Sequence, residues 1–401
     1  MTAVARMTGS ELKSTVILAL IFACRLLGLF MVLPVLALYV SRIPAATPSL
    51  IGLAAGIYGF TQALLQLPFG LLSDYFGRKP IILIGLGIFA IGSLIAAYSD
   101  SMTGLIIGRA IQGAGAIGSP ILALAADTTR DSVRTRVMAC IGISIGATFV
   151  LAILLGPVLD GYFGLAGIFK ITAFLAMLGM LLLLLIKAEP LEKPTALKIQ
   201  IRHLLQHHDL WRLNVNIFIL HAVLMATFLI LPAKIEYITG LTSLHVWHFY
   251  LPVLGASLCL IAPFLRHAER LAWQQKGLQF AMIGLGMAIF LLINTMHLSI
   301  FIIAAILFFT AFNYLEASFP ALVSRIASQR GKGAALGVYS FSQFLGLFSG
   351  GALGGCLQQW KGSWGIGIGC LLLTAVGWVT IRRLDYLKNS VNSRSKQWQE
   401  A

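Results

Sequence analysis

The sequence predicts an all-α integral membrane protein with twelve transmembrane helices. Hydrophobic residues make up 58% of the 401-residue chain and charged residues only 11%, whereas roughly 25% of a soluble domain is charged. Apolar runs recur along nearly the whole chain, and each is close to the about 20 residues that a membrane-spanning helix requires. The connections between them are short and charged, as at Asp74, Arg78 and Lys79. This composition indicates a polytopic membrane protein and excludes a water-soluble fold.

The predicted spans are the apolar runs that lie between these connections. Most are bounded by a charged residue, because a charged side chain at the centre of a bilayer is costly. The first six spans cover residues 15–39, 50–73, 80–98, 103–126, 137–159 and 165–187. The second six cover residues 212–234, 245–265, 277–295, 298–323, 333–357 and 363–382.

Lys and Arg collect at the two chain ends and at the connections that follow every second span. These segments hold 23 of the 29 Lys and Arg, the internal ones being residues 78–79, 130–136, 187–212, 266–276 and 325–332. Positive residues near span ends are retained on the cytoplasmic side. We therefore expect a multi-pass membrane protein with both termini in the cytoplasm. This topology and anionic lipid headgroups explain the net charge of +15 better than nucleic-acid binding does.

A longer polar segment divides the spans into six and six. The sequence predicts an N-terminal six-helix bundle over 1–187, a cytoplasmic loop over 188–211, a C-terminal six-helix bundle over 212–384 and a cytoplasmic tail over 385–401. Two repeated bundles with a binding site at their interface are typical of secondary transporters.

Several other chemistries are not indicated. The cysteines lie within predicted spans without CxxC or His-Cys spacing, so we interpret them as packing residues. The chain has no nucleotide-binding P-loop, metalloenzyme motif or nucleophile elbow. We expect no enzyme activity, no metal and no cofactor, so that energy for any transport must come from a gradient.

The connection after the second span carries a family signature. Its residues match G-x-L-x-D-x-x-G-R-K of the major facilitator superfamily at Gly70, Asp74, Gly77, Arg78 and Lys79. The resemblance implies two six-helix bundles related by a pseudo-twofold axis. It also implies that an acidic residue at the end of span four, here Asp127, joins the loop cluster. We expect these six residues to form a conformational switch that holds the two halves together in one conformation and releases them in another.

Two further motifs resemble those of the same superfamily. Arg109 and Gln112 lie in a stretch similar to R-x-x-Q-G, and residues 156–161 resemble the G-P-x-x-G-G motif of its antiporters, with Asp160 in place of one glycine. That departure weakens the implication of export. Small residues nevertheless favour close helix packing here, and the predicted packing motif comprises Gly142, Gly146, Gly156 and Pro157.

Wider similarity extends over most of the chain. Segments such as 312–317 and 337–346 resemble the YajR-type bacterial transporters of the drug:proton antiporter branch. Members of that group can carry an extra C-terminal soluble domain, and we expect this chain to work without one.

Polar residues at helical spacing identify inward faces without reference to a family. Residues three or four apart share a helical face, which gives the predicted cavity lining: Tyr58, Gln62, Gln66, Gln112, Asn313, Tyr339 and Gln343. Glu316 is a carboxylate well inside a span, and a site that alternates between dry and wet surroundings suits proton exchange. The proton-coupling candidates are Glu316, Arg109, Arg25 and His221. Structural hydrogen bonding or ion pairing of these groups is the alternative interpretation.

These observations and the resemblance together suggest a proton-coupled secondary transporter. The favoured hypothesis is an efflux antiporter for a small amphipathic or lipophilic compound. A proton symporter that imports a nutrient or a metal chelate such as a siderophore is the first alternative, and a non-transporting membrane sensor is the second. The expected partners are a small-molecule substrate, protons and membrane lipids, without nucleic acid, and the expected state is a monomer.

Overall fold

The computed structural model describes residues 7–40, 43, 46–186, 207–268, 271–327 and 332–386, and in these ranges the regular elements are helices. The helices of the first half are α1 (Gly9–Met31), α2 (Leu33–Val40), α3 (Pro48–Phe76), α4 (Arg78–Ala97), α5 (Met102–Ala114), α6 (Gly118–Asp127) and α7 (Asp131–Leu184). Those of the second half are α8 (His208–Phe228), α9 (Leu231–Thr239), α10 (Trp247–Ala268), α11 (Leu271–Asn294), α12 (Leu298–Ile326) and α13 (Lys332–Arg382), with a 3₁₀ turn at Ser243–His245.

Two of these elements contain a sharp break at a glycine. Gly164 in α7 has φ 64°, and Gly362 in α13 has φ 60°. This left-handed region is open to glycine and costly for other residues, so the chain changes direction at both positions. Each element therefore comprises two successive apolar helices.

The predicted fold class is confirmed. Nine helical segments in the described ranges are long and apolar enough to cross a membrane, and two of them are the broken elements α7 and α13. Dividing those two gives eleven spans, and the shorter apolar helix Trp247–Pro263 supplies the twelfth. The sequence-predicted spans coincide with these helices to within several residues.

One compact unit, unit 1, comprises Met1–Ala46, Ile57–Thr195 and Thr242–Trp247. Its helices approach closely where glycine removes a side chain. A Cβ on Gly92 of α4 would lie 2.7 Å from the carbonyl oxygen of Gly108 on α5. Likewise, a Cβ on Gly156 of α7 would overlap the carbonyl oxygen of Met31 at the end of α1. Backbone-to-backbone packing of this kind is common between membrane helices.

The other unit, unit 2, comprises Thr47–Gly56, Ala196–Leu241 and His248–Ala401. Helix α8 lies against α13, where a Cβ on Gly346 or Gly350 would overlap the backbone of Phe218 or Ala222. On α12, Phe308 stacks on Phe312, with 6.4 Å between ring centres. Close helix contacts and aromatic packing together form the interior of this unit.

The unit bounds differ from the predicted bundles at two short segments. Thr47–Gly56, the beginning of α3, groups with unit 2, because a Cβ on Gly52 or Gly56 would lie against the backbone of α13. Thr242–Trp247 groups with unit 1, where Leu244 packs against Gly161. A sequence pattern identifies each helix but does not report such pairings.

The predicted inter-bundle loop and tail also have different bounds. Helix α8 begins at His208, so residues 208–211 belong to the helix, and 188–206 of the loop lie outside the described residues. The sequence predicts a tail from residue 385, but the backbone N–H groups of Asp385 and Tyr386 donate to Asp209 at 3.1 and 2.7 Å. These bonds tie the start of the predicted tail to α8, and its remainder, 387–401, lies outside the described residues.

The close approach of α4 and α5 gives a stability prediction. Gly92→Ala should lower the free energy of unfolding by about 1–3 kcal/mol, the usual cost of overpacking, because the new methyl group would overlap the backbone of α5. Gly87→Ala on the same helix is the matched control, since no atom lies within 4 Å of a Cβ there. Thermal unfolding of the purified protein measures both. Equal melting temperatures for the two variants would contradict the packing described.

Candidate functional site

A charged cluster lies where α3 ends and α4 begins. Gly77, with φ 98°, turns the chain between the two helices. Arg78 forms an ion pair with Asp74, its Nε donates to Asp127 Oδ2 at 2.9 Å, and its Nη1 donates to Ser73 Oγ at 2.9 Å. One guanidinium thus connects the ends of α3 and α6.

The cluster is only partly buried, so its bonds are weak. The side chains of Arg78, Asp74 and Asp127 are 22%, 28% and 41% exposed, and exposed ion pairs contribute about 0.2–1 kcal/mol each.

Lys79 Nζ donates to the carbonyl oxygen of Ile186 at 2.6 Å. A Cβ added to Gly70 would lie 3.5 Å from the side chain of Ser119, an ordinary contact distance. The structure thus brings the predicted switch residues near one end of unit 1, in contacts that can be broken at small cost.

Unit 1 also contains two buried arginines. Arg109 on α5 is 0% exposed. Its Nη1 donates to Gln112 Oε1 at 2.6 Å, and Gln112 Nε2 donates to Ser93 Oγ at 2.9 Å. The guanidinium carbon of Arg109 lies 5.1 Å from the centre of the Tyr58 ring. A neutral amide and an aromatic face therefore shield this charge inside the unit.

The second arginine begins a chain of polar side chains along α3. Arg25 on α1 donates to Gln62 Oε1. Gln62 Nε2 donates to Gln66 Oε1 at 2.7 Å, and Gln66 Nε2 donates to Ser119 Oγ at 3.0 Å. The predicted polar face of α3 is thus hydrogen-bonded within unit 1, with Arg25 at one end and Ser119 of α6 at the other.

Unit 2 holds a carboxylate, an amide and an imidazole in contact. Gln343 Nε2 on α13 lies 3.2 Å from Glu316 Oε1 on α12 and 2.8 Å from His221 Nε2 on α8. His221 Nδ1 lies 3.3 Å from the carbonyl oxygen of Ile217. An imidazole that donates from Nδ1 and accepts at Nε2 is neutral. Glu316 Oε2 lies 3.8 Å from the same Nε2, so a proton on His221 would create an ion pair with Glu316.

This cluster keeps unused hydrogen-bonding capacity. Glu316 Oε2, Asn313 Nδ2 and the Tyr339 hydroxyl are buried atoms without a hydrogen-bond partner in the described part of unit 2. The side chain of Glu316 as a whole is nevertheless 34% exposed. Buried polar atoms are normally paired, so unpaired ones beside a partly open carboxylate are suited to a ligand or to exchanging protons.

The predicted packing motif is realised at one end only. Gly156, followed by Pro157, lies against the backbone of Met31 as described above. At Gly142 and Gly146 no described atom lies within 4 Å of the position that a Cβ would occupy. The close packing expected at these two glycines is therefore not found among the described residues. The spacing of small residues identifies a helix face without bulky side chains, but it does not identify which helix packs against that face.

Sequence reasoning missed several partners of the site. Ser93 and Ser119 terminate the two polar chains, and Phe89 lies under the Arg25 guanidinium at 5.7 Å. Serine and phenylalanine are common in membrane spans, so nothing local distinguishes these three.

The comparisons with known proteins decide the family. A sequence profile of the Major Facilitator Superfamily matches residues 18–351. The chain belongs to the major facilitator superfamily. It is 40% identical over 382 residues to the inner membrane transport protein YajR of Escherichia coli (strain K12), covering 94% of this chain and 84% of that relative. It is 27% identical over 350 residues to the multidrug resistance protein MdtH of Aeromonas hydrophila subsp. hydrophila, covering 84% of this chain and 85% of that relative.

A solved structure shares the fold of this superfamily member. The crystal structure of a bacterial homologue of the human lysosomal transporter Spinster, in an inward-facing and occupied conformation, matches with a TM-score of 0.72. The match covers 95% of this chain and 96% of that chain at 14% sequence identity, so the likeness concerns the fold alone.

Membership of the superfamily has direct consequences for class and location. The chain belongs to a family of transporters, which are not enzymes. Together with the apolar helices, this makes it a multi-pass protein of the bacterial inner membrane. No group of three or more His, Cys, Asp or Glu that could hold a metal ion occurs among the described residues.

Proposed function

We propose that the protein is a proton-coupled secondary transporter that exports a small amphipathic or lipophilic compound in exchange for protons. The observation that carries this proposal is Glu316, a carboxylate inside a membrane helix that is partly open and touches Gln343. Ionisable residues inside membrane spans are rare and belong to ion or substrate pathways. The similarity to a protein named for multidrug resistance supports export.

Glu316 has the surroundings that proton exchange requires. One carboxylate oxygen accepts from Gln343, and the other has no hydrogen-bond partner among the described residues. That second oxygen can take a proton without breaking a bond. His221, 3.8 Å away, is placed to receive or return the proton. A carboxyl group that exchanges a proton only in one conformation links proton movement to the transport cycle.

The cluster of Asp74, Arg78 and Asp127 serves in this proposal as the conformational switch. Its partly exposed ion pairs stabilise one conformation by little, and a transporter needs states of similar free energy to alternate between them. The charges of Arg25 and Arg109 tune the field in unit 1. Each elementary charge that crosses the membrane also gains about 2.3 kcal/mol per 100 mV of potential. The proposal further includes both termini in the cytoplasm, a monomer and the proton gradient as the energy source.

A proton symporter that imports a nutrient or a metal chelate is the second candidate. The observation that favours it is Asp160, which interrupts the antiporter-like motif of residues 156–161. The same architecture can operate in either direction. A non-transporting sensor would be the remaining alternative if the purified protein moved no solute.

Proton movement in proteoliposomes tests the proposal. Pyranine inside the vesicles reports internal pH while ethidium, 2-naphthalenesulfonate or ferrichrome is added outside. Antiport of an accepted compound should make the interior alkaline, and symport should make it acidic. Glu316→Gln should reduce the signal to that of empty vesicles, because the amide keeps the oxygen that accepts from Gln343 but cannot carry the proton.

Glu236→Gln on α9 is the matched control, since it removes a carboxylate elsewhere in unit 2. This variant should transport as the wild type does. Substrate-driven proton movement that survives in Glu316→Gln would contradict the assigned role. Absence of movement with all compounds in the wild type would contradict coupled transport and favour the sensor.

The switch is tested by Asp74→Asn. The change removes one of the two carboxylates of Arg78 while Asp127 and Ser73 remain. We expect slower proton movement with a change of less than about 1 kcal/mol in the free energy of unfolding. Asp100→Asn, in the exposed connection between α4 and α5, is the control and should change neither the rate of proton movement nor the free energy of unfolding. A normal transport rate in Asp74→Asn would remove the switch from the account.

A further inference from the structure

Arg25 is a buried cation to which the described residues offer no anion. Its side chain is 1% exposed, and its contacts are the amide oxygen of Gln62 and the ring face of Phe89, 5.7 Å from the guanidinium carbon. Its Nε has no hydrogen-bond partner in the described structure. Both contacts are neutral, so the charge is shielded but not compensated. Burying such a charge is costly unless a counter-ion joins it.

Tyr58 adds a second unused group beside this charge. It lies one helical turn before Gln62 on α3, is 1% exposed, and its hydroxyl has no partner in the described structure. Its ring is nearly perpendicular to that of Phe89, with 6.5 Å between the ring centres, and its own centre lies 5.1 Å from the guanidinium carbon of Arg109. Arg25 lies over the Phe89 ring and Arg109 over the Tyr58 ring. Two positive charges and one free hydroxyl are therefore gathered around a single aromatic pair.

The unused groups in this cluster share one chemical character. Along the chain from Gln62 through Gln66 to Ser119, each amide oxygen and nitrogen already has a hydrogen-bond partner. In this cluster the buried polar atoms without a partner among the described residues are Arg25 Nε, which only donates, and the Tyr58 hydroxyl, which can donate. A carboxylate or sulfonate accepts from both and compensates the charge, because guanidinium groups match the geometry of such oxyanions. A cationic ligand would instead meet two positive charges.

We propose that Arg25 and Tyr58 bind the anionic group of the transported compound, with Arg109 adding to the attractive field, so that the substrate is an amphipathic anion. The inference rests on the proposed transport function, because it names the chemical class that is carried. Both side chains are buried in this structure, so an anion enters when α1 and α3 separate locally. The apolar surroundings of the cluster suit the hydrophobic part of such a compound.

A matched pair of permanently charged bicyclic compounds tests the charge preference. Isothermal titration calorimetry of the protein in lipid nanodiscs measures binding of 2-naphthalenesulfonate, an anion, and N-methylquinolinium, a cation of similar size. Empty nanodiscs correct for partition into lipid, and taurocholate serves as a larger sulfonate. We expect the wild type to bind a sulfonate at least about tenfold more tightly than the cation, a difference of about 1.4 kcal/mol.

Three variants locate the binding site. Arg25→Gln should weaken sulfonate binding at least about tenfold, because truncating one partner of a buried charge pair has effects of this size or larger. Tyr58→Phe should weaken it about three- to tenfold, the contribution of one hydrogen bond. The melting temperature of Tyr58→Phe should not fall, since the hydroxyl has no partner in the free protein. Lys170→Gln, which removes a charge beside Tyr98 elsewhere in unit 1, is the control and should bind as the wild type does.

The proposal would be overturned by tighter binding of the cation, by binding of neither sulfonate, or by unchanged sulfonate binding in both Arg25→Gln and Tyr58→Phe. Tyr58→Phe keeps the test valid if Arg25→Gln does not fold. Failure of the anion-site proposal can be distinguished from failure of the proposed transport function. Sulfonates that bind while no compound drives proton movement would contradict the function and leave the anion site intact. Proton movement driven by cations, without sulfonate binding, would contradict the anion site and leave the function intact.

Discussion

The lack of water in the bilayer core requires this chain to satisfy its polar groups from within. Helices satisfy the backbone, and glycines such as Gly92 let two backbones meet where side chains would keep them apart. The same requirement organises the side chains, as where Arg109 is linked through Gln112 to Ser93. Against this background, the few polar atoms that remain unsatisfied are the strongest indication of function.

Two chemically different clusters hold several of those atoms. The cluster in unit 1 offers hydrogen-bond donors beside positive charge, at Arg25 and Tyr58. In unit 2 the central group is a carboxylate, Glu316, with Gln343 and His221 in contact. Our account assigns the substrate to the first cluster and the proton to the second. Linkage then requires that each ligand favour a different conformation of the protein.

Much of this arrangement could be predicted from single-helix patterns. Twelve spans followed from apolar runs, and Glu316 and Gln343 stood out as polar residues in such runs. The pairing of helices could not be predicted, because it depends on surfaces distant in sequence. For this reason Ser119 was missed as a partner of Gln66. Likewise, the close contact expected at Gly142 is not found among the residues that the structure describes. The observed bounds differ from the predicted ones where a tertiary contact fixes the end of a helix, as where the backbone N–H of Asp385 donates to Asp209.

The central claim is that substrate and proton bind to one linked system. The most direct measurement is the pH change on mixing 2-naphthalenesulfonate with the purified protein in weakly buffered solution, over a range of pH. The account predicts saturable proton release by the wild type, which follows the binding curve, and none by Glu316→Gln. Saturable binding by the wild type without any proton release would contradict it.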